Sequence, residues 1–331
     1  MKSAVDQLQR AESHALPDVL FEVPSRAPSV SLPPLRQLSA VAEAPPRKGR
    51  TEQKSSRLGQ LRLADVLVVV SLSVLAFVAA CAAFPSWIAP YLPSDMRSDA
   101  ILMAPGAGHW FGTDQFGRDV FSLVVYGARQ SVLIGVFAVL LSCSAGVAIG
   151  LTAGYAGGWL DTALMRLVDI WMAIPSILLA IALSTVLGPS LINTIFAVSV
   201  TTIPRYARVL RGQALSVRNR PFIEASRAAG ASHFAILRRH ILPHCSAQIF
   251  VMATLGVGGS ILIGSGLSFL GLGVNDERPD WGYLLTQGRS YLTVAWWTVT
   301  YPGLAITSLV ISVNLLGDAL RRRFDPRSAP R

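Results

Sequence analysis

The stretch NRPFIEASRAAGASHFAILRRHILP, residues 219–243, decides how this chain is read. Pro221 suits the first turn of a helix, and Glu224 falls in that turn, where a negative charge meets the positive end of the helix dipole. Ala225, Ala228 and Ala229 favour helix. Gly230 supplies a stop, because it adopts positive φ without strain. Ser232 then caps a second short helix, whose Phe234, Ile236, Leu237, Ile241 and Leu242 give it an apolar face. Pro243 marks the junction of that helix with the next apolar block. The expected product is a helix–glycine–helix knob with small residues and one acid at its tip. Such a knob either fits a groove on a partner protein or lies on a membrane surface as an amphipathic helix.

The residues flanking the knob favour a membrane. Of the 331 residues, 52% are hydrophobic and 15% charged, and mean hydropathy is +0.48. Soluble domains carry about 25% charged residues. The apolar residues also come in blocks long enough to cross a bilayer, at about 66–84, 131–154, 170–187, 191–209, 249–270 and 300–316. The Gly188-Pro189-Ser190 breaker separates the third block from the fourth. Residues 1–62 are rich in Pro, Ser, Ala and charge and cannot bury enough apolar surface to order themselves. We expect a disordered N-terminal tail over 1–62, a first span with an external segment over 63–130, and a transmembrane domain over 131–318. A C-terminal tail over 319–331 completes the chain. No N-terminal signal peptide is visible, and the Val78-Ala79-Ala80-Cys81 lipoprotein-like box falls inside a span.

Charge sets the expected orientation. The net charge of +10 would suggest nucleic acid in a soluble chain. Here the arginines are missing from the centres of the apolar blocks and crowd particular connections, so no nucleic-acid partner is expected. Ten Lys or Arg precede the first span. Arg205, Arg208, Arg211, Arg218, Arg220, Arg227, Arg238 and Arg239 lie between the fourth and fifth, against Glu224 alone. Arg321, Arg322, Arg323, Arg327 and Arg331 follow the sixth. The alternate connections carry Asp95, Asp99, Asp114 and Asp119, then Asp276, Glu277 and Asp280. Six spans with both termini and the 219–243 loop in the cytoplasm fit this pattern.

Two spans carry small residues at every fourth position: Ser142, Gly146, Gly150 and Gly154, then Gly256, Ser260, Gly264 and Ser268. Each set lines one helix face and permits close packing, either fixed or sliding during gating. Asn314 inside the sixth block needs a neighbouring helix or a watery path. Cys81, Cys143 and Cys245 have no metal spacing and read as small core residues. His233, His240 and His244 share one helical side, yet no cysteine or carboxylate completes a site with them, so no metal site is expected. No phosphate-binding loop is present, and the only lysines are Lys2, Lys48 and Lys54. The chain is therefore not expected to be an ATPase or another enzyme.

Glu224-Ala225-Ser226, Gly230 and Leu242-Pro243 closely resemble the EAA loop of ABC importer permeases. Ser226 replaces the usual second alanine and remains small. His240 stands where isoleucine is common, although His-Ile-Leu-Pro is normal for the peptide/nickel branch. FGTDQFGRDV (111–120), YGAR (126–129), GYAGGW (154–159), MRLVD (165–169) and Ile174-Pro175-Ser176 are similar to "C"-type oligopeptide, dipeptide and nickel permeases. So are SFLGLG (268–273), Trp281-Gly282, NLLGD (314–318) and Asp325-Pro326-Arg327. The resemblance covers about residues 60–327. It implies an all-α polytopic membrane protein with the type I ABC importer permease fold. It implies that the EAA loop couples the spans to separate cytoplasmic ATPase subunits, which bind ATP and Mg, while this chain holds no cofactor. The implied partners are a homologous second permease forming a heterodimer, two ATPases, an external solute-binding protein and the lipid bilayer. Peptides or a related small solute such as a nickel chelate are the implied cargo. An ion-coupled secondary transporter, or a membrane scaffold, is the alternative.

Overall fold

The computed structural model describes residues 52–274 and 280–324. Within them all long elements are helices, and strand-like pairing is limited to an antiparallel bridge between Thr113 and Asp119. Helix α1 covers Glu52–Ala83 and α2 covers Pro85–Ile88. α1 therefore starts ahead of the expected tail boundary at residue 62, and residues 1–51 lie outside the described residues. From Asp65 onward α1 is peripheral. It buries Ser71, Val78 and Cys81 but leaves Val66, Val69 and Phe77 exposed, as lipid-facing residues would be.

A folded connection follows, built on FGTDQFGRDV. Gly112 and Gly117 take φ values of 72° and 71°. Asp114 accepts from the Phe116 and Arg118 amides and from Arg118 Nε at 2.9, 2.9 and 2.7 Å. Arg118 also donates to Gln287 at 2.8 Å, tying this connection to the far end of the sequence. Asp119 then caps α3 (Val120–Ala156), accepting from the Ser122 amide at 2.8 Å. The apolar pattern placed this span's start near Ser131. Tyr126, Arg129 and Gln130 interrupt the apolar run without interrupting the helix, so α3 is 37 residues long.

The expected third span, 170–187, is not one helix. α4 (Gly158–Ala173) and α5 (Ser176–Leu187) meet at 85°. Pro175 lacks an N–H and drives Ile174 out of the helical region, so the chain turns there. The Gly188 breaker takes φ 80°, and Ser190 caps α6 (Leu191–Arg218) by accepting from the Asn193 amide at 3.2 Å. α7 (Pro221–Ala228) precedes the turn at Gly230. The second short helix does not stop at Pro243: α8 (His233–Ile236) passes through a π turn, Leu237–Ile241, into α9 (Leu242–Phe269). The wider turn absorbs the proline's missing hydrogen bond, so 37 residues run as one helix. α10 (Trp281–Gly288) and α11 (Trp297–Phe324) complete the described chain. The acids Asp276 and Glu277, and the tail from Asp325 onward, lie outside the described residues.

Among the described residues four helices are long and apolar enough to cross a membrane, or five if α4–α5 forms one broken span. The expected fourth span, α6, is not among them, because Arg205 and Arg208 lie in it. Its apolarity matters less than its enclosure: Ala197, Val198, Ser199, Ala207, Leu210 and Ala214 are fully buried. α3 is the axis of the fold, with α6 packed along one face and α9 along another, and α11 lies against α9.

Candidate functional site

The 219–243 loop is rigidly seated on one side and open on the other. Ile223, Ile236 and Ile241 are each 0% exposed and form one core with Leu151 and Tyr155 of α3 and Leu210, Ala214 and Val217 of α6. Burying an isoleucine contributes about 2–3 kcal/mol, so three of them fix the knob to the ends of α3 and α6. The turn between its helices is a Schellman motif. The Ala231 amide reaches the Ser226 carbonyl at 3.1 Å, and the Gly230 amide reaches the Arg227 carbonyl at 2.9 Å. Gly230 holds φ 79° and faces open space. The Ser226 hydroxyl donates to the Phe222 carbonyl at 2.8 Å, which satisfies it within the helix. Ser232 accepts from the Ala235 amide at 3.3 Å, as an N-cap should.

The outer surface carries Glu224, Ala225, Ala228, Ala229, Gly230 and Ala231, all exposed, with Phe234 standing out at 71% exposure. Among the described residues the Glu224 carboxylate makes no ion pair. Leu242 and Pro243 are also exposed, but lie along the helical run roughly two and a half turns beyond His233. They flank the knob's base rather than its tip.

The knob's histidines are committed to packing. His233 Nδ1 lies 2.8 Å from the Tyr155 hydroxyl, His244 stacks on Phe222, and His244 Nδ1–H donates to the His240 carbonyl at 2.8 Å.

The two small-residue ladders do not face each other. Gly146, Gly150 and Gly154 of α3 rest on the α6 backbone, against Ile203, Ala207 and Arg211 in step, so these helices run parallel. Methyl groups there would approach the Ala207 amide (from Gly146) and the Arg211 amide (from Gly150) to 3.1 and 3.0 Å. Gly264 of α9 faces Ile134, and Gly256 faces Val139 and Tyr206, in antiparallel order along the earlier half of α3. Ser142, Ser260 and Ser268 are buried, and Ser268 lies beside Gly273 and Asp280 rather than against α3. Gly135, against Ile261, belongs to this packing but falls outside the four-residue spacing that identified the others. The Asn314 amide lies against Gly258 of the neighbouring α9.

Tyr206, Asp161 and Asp280 escaped the sequence reading as structural centres. Tyr206 is buried between α3, α6 and α9 and donates to the Met252 carbonyl at 3.3 Å. Asp161 of α4 holds Arg211 of α6 through two bonds of 2.5 and 2.8 Å. Arg208 pairs with Asp169 one turn away. Asp280, read from the sequence only as one acid of an outward connection, is fully buried and caps α10 by accepting from the Tyr283 amide at 3.1 Å.

Comparison with known proteins bears on this geometry. Residues 146–330 match the family described as "Binding-protein-dependent transport system inner membrane component". The chain is 42% identical over 253 residues to the di/tripeptide transport system permease protein DppC of Pseudomonas aeruginosa, covering 75% of this chain and 84% of that protein. It is 40% identical to the dipeptide transport system permease protein DppC of Alkalihalophilus pseudofirmus, covering 90% and 94%. Against the glutathione transport system permease protein GsiD of Escherichia coli it is 42% identical, covering 82% and 88%. Among solved structures, an inward-facing MetNI methionine ABC transporter aligns with a TM-score of 0.51 and 21% identity, over 61% of this chain and 96% of that one.

Proposed function

Since this chain belongs to the binding-protein-dependent transport system inner membrane component family, and is thereby a multi-pass permease subunit of an ABC importer, we propose that it carries peptides across the inner membrane. Relatives named for dipeptides, di/tripeptides and glutathione support short peptides as the cargo. The chain pairs with a homologous second permease, and the pathway runs along their interface. An external solute-binding protein delivers the peptide, and two ATPase subunits bind beneath.

The observation that carries this reading is the exposed face Glu224–Ala231 with Phe234, backed by the buried Ile223, Ile236 and Ile241. It offers a small-residue surface with one apolar protrusion, fixed directly to α3 and α6. A partner that moves it moves those helices. Six crossings result, made by α1, α3, the bent α4–α5 pair, α6, α8–α9 and α11. An even number of crossings leaves both chain ends on one side, and the excess of arginine in the 219–243 loop supports the cytoplasm as that side. The ladders Ser142 to Gly154 and Gly256 to Ser268 are the seams along which the spans rock.

Affinity purification of the tagged chain tests the assembly. One homologous permease and two ATPase copies should co-purify, and uptake of a labelled dipeptide should stop on gene deletion in a strain without redundant importers. Uptake that survives ATP depletion and depends on a proton or sodium gradient would overturn the reading. So would labelling of a cysteine placed at Ala229 from outside intact cells.

A further inference from the structure

A cavity of about 440 Å³ opens beside the knob, lined by Tyr155, Ala156, Arg218, Arg227 and His233. Its wall contains no acid. Asp161, the carboxylate nearest in charge influence, is already engaged by both arms of Arg211. Glu224 lies three residues before Arg227 but is not part of the wall. Among the described residues neither Arg218 nor Arg227 makes an ion pair. Two guanidinium groups thus share one pocket whose wall holds no counter-charge, Asp161 acting on Arg218 only from beyond ion-pair distance.

The pocket is built rather than incidental. Gly157, at φ 67°, leaves room for the Arg218 guanidinium, which any side chain there would strike. The Arg227 guanidinium stands 5.2 Å over the Tyr155 ring. Tyr155 is in turn held by His233 at 2.8 Å. The direction of that bond follows the His233 tautomer: the tautomer with Nδ1–H donates to the Tyr155 oxygen and leaves the phenol proton for a ligand. The C-terminal ends of α3 and α6 also bring partial negative charge here, roughly half a unit each and fading within a turn. Two full cationic charges exceed it. Trp159, 80% exposed, stands just beyond Ala156 at the start of α4, as an interfacial anchor would.

We propose that this pocket binds a phosphate-bearing anion, its oxygens held by the forks of Arg218 and Arg227 and by the Tyr155 hydroxyl. Guanidinium forks match phosphate oxygens in pairs. The volume exceeds that of a phosphate alone and accommodates a phosphodiester with its glycerol. Bound there, the anion bridges the end of α6 to α7 and stiffens the knob. The pocket's facing the cytoplasm rests on the topology proposed above, whereas the binding itself does not.

The assembled importer in micelles of dodecyl maltoside, a detergent without phosphate, is the material for the test. Inorganic phosphate is titrated and tracked by phosphorus NMR, and phosphatidylglycerol is added to parallel micelles with retained lipid counted by native mass spectrometry. Wild type should hold one probe or both. Retention of phosphatidylglycerol alone identifies a lipid headgroup, and binding of inorganic phosphate identifies a soluble source. Arg218→Gln with Arg227→Gln should weaken binding by about tenfold for each fork lost. The paired lysine variants should keep part of it, and Arg239→Gln, outside the pocket, all of it. Failure of wild type to bind either probe, or equal binding by the double glutamine variant in intact complexes, would overturn the proposal. Loss of ATPase association in that variant, with no phosphate bound by wild type, would also overturn it, in favour of a protein carboxylate as the occupant.

Discussion

Gly146 of α3 and Gly256 of α9 rest on opposite ends of one side chain, that of Tyr206 on α6. Gly146 lies under its Cβ atom and Gly256 under its hydroxyl. Two ladders that look independent in the sequence therefore meet at one residue. Gly256→Ala should cost about 1–3 kcal/mol by overpacking, and Tyr206→Phe should relieve it by removing the obstructing oxygen. Gly146→Ala should cost at least as much, and Tyr206→Phe should not rescue it, because the Cβ and the Ile203 carbonyl remain. Thermal unfolding of the four variants in a double-mutant cycle decides the matter. Equal rescue at both glycines would contradict this arrangement.

The Asp161–Arg211 pair joins the bent helix α4 to α6. Asp161→Asn leaves Arg211 half-enclosed without its partner. The expected loss is about 1–2 kcal/mol, reduced from a buried pair by the solvent reaching the arginine. Arg211→Lys should also fall short of wild type, because donors diverging from one nitrogen do not match the two parallel bonds of the guanidinium fork. Unfolding midpoints in detergent measure both, and unchanged midpoints would remove the pair from the account.

Phe234 is exposed in the chain by itself, so Phe234→Ala should change its stability by no more than about 0.5 kcal/mol. Affinity for the ATPase subunits should fall by about 2 kcal/mol, roughly thirtyfold, if this ring is the anchor of the docking face. Gly230→Val adds backbone strain of about 1–2 kcal/mol at φ 79° without a collision. It should abolish uptake while the external binding protein still binds peptide. Full uptake by the valine variant would dismiss the coupling role.

Burial pushes the Asp280 carboxyl up to about 6 from its ordinary 3.8, and the nearby Ser268 hydroxyl and the amides around Tyr283 offset only part of this. The folded state thus retains a proton that the unfolded state releases between those values. Asp280 favours folding below pH 3.8, and that contribution is lost as pH rises through about 6. Asp280→Asn keeps a capping oxygen and removes the titration. Its thermal stability should be flatter across this window and equal to or above wild type at neutral pH. An unchanged pH slope would show that another group is responsible.

The knob was legible because its signals are local. Pro221 at a first turn, Gly230 at a left-handed stop and Ser232 at a cap act within a few residues, and the structure forms each of them. The apolar blocks likewise announced four of the spans. Local signals did not reveal how far helices extend through polar residues, as at Tyr126 to Gln130, or through a proline, as at Pro243. Nor did they show that Pro175 would bend the third span by 85°.

Composition and spacing by themselves determined that this chain is a helical membrane protein with a cationic loop and close-packing faces, because helix propensity, capping and bilayer length are properties of short segments. Which faces meet was decided only in three dimensions. Tyr206 became the meeting point of two ladders, Asp161 found Arg211, and Asp280 was enclosed in the interior. Each of these depends on residues far apart in sequence being brought together, and a hydrogen bond or a van der Waals contact records no sequence distance.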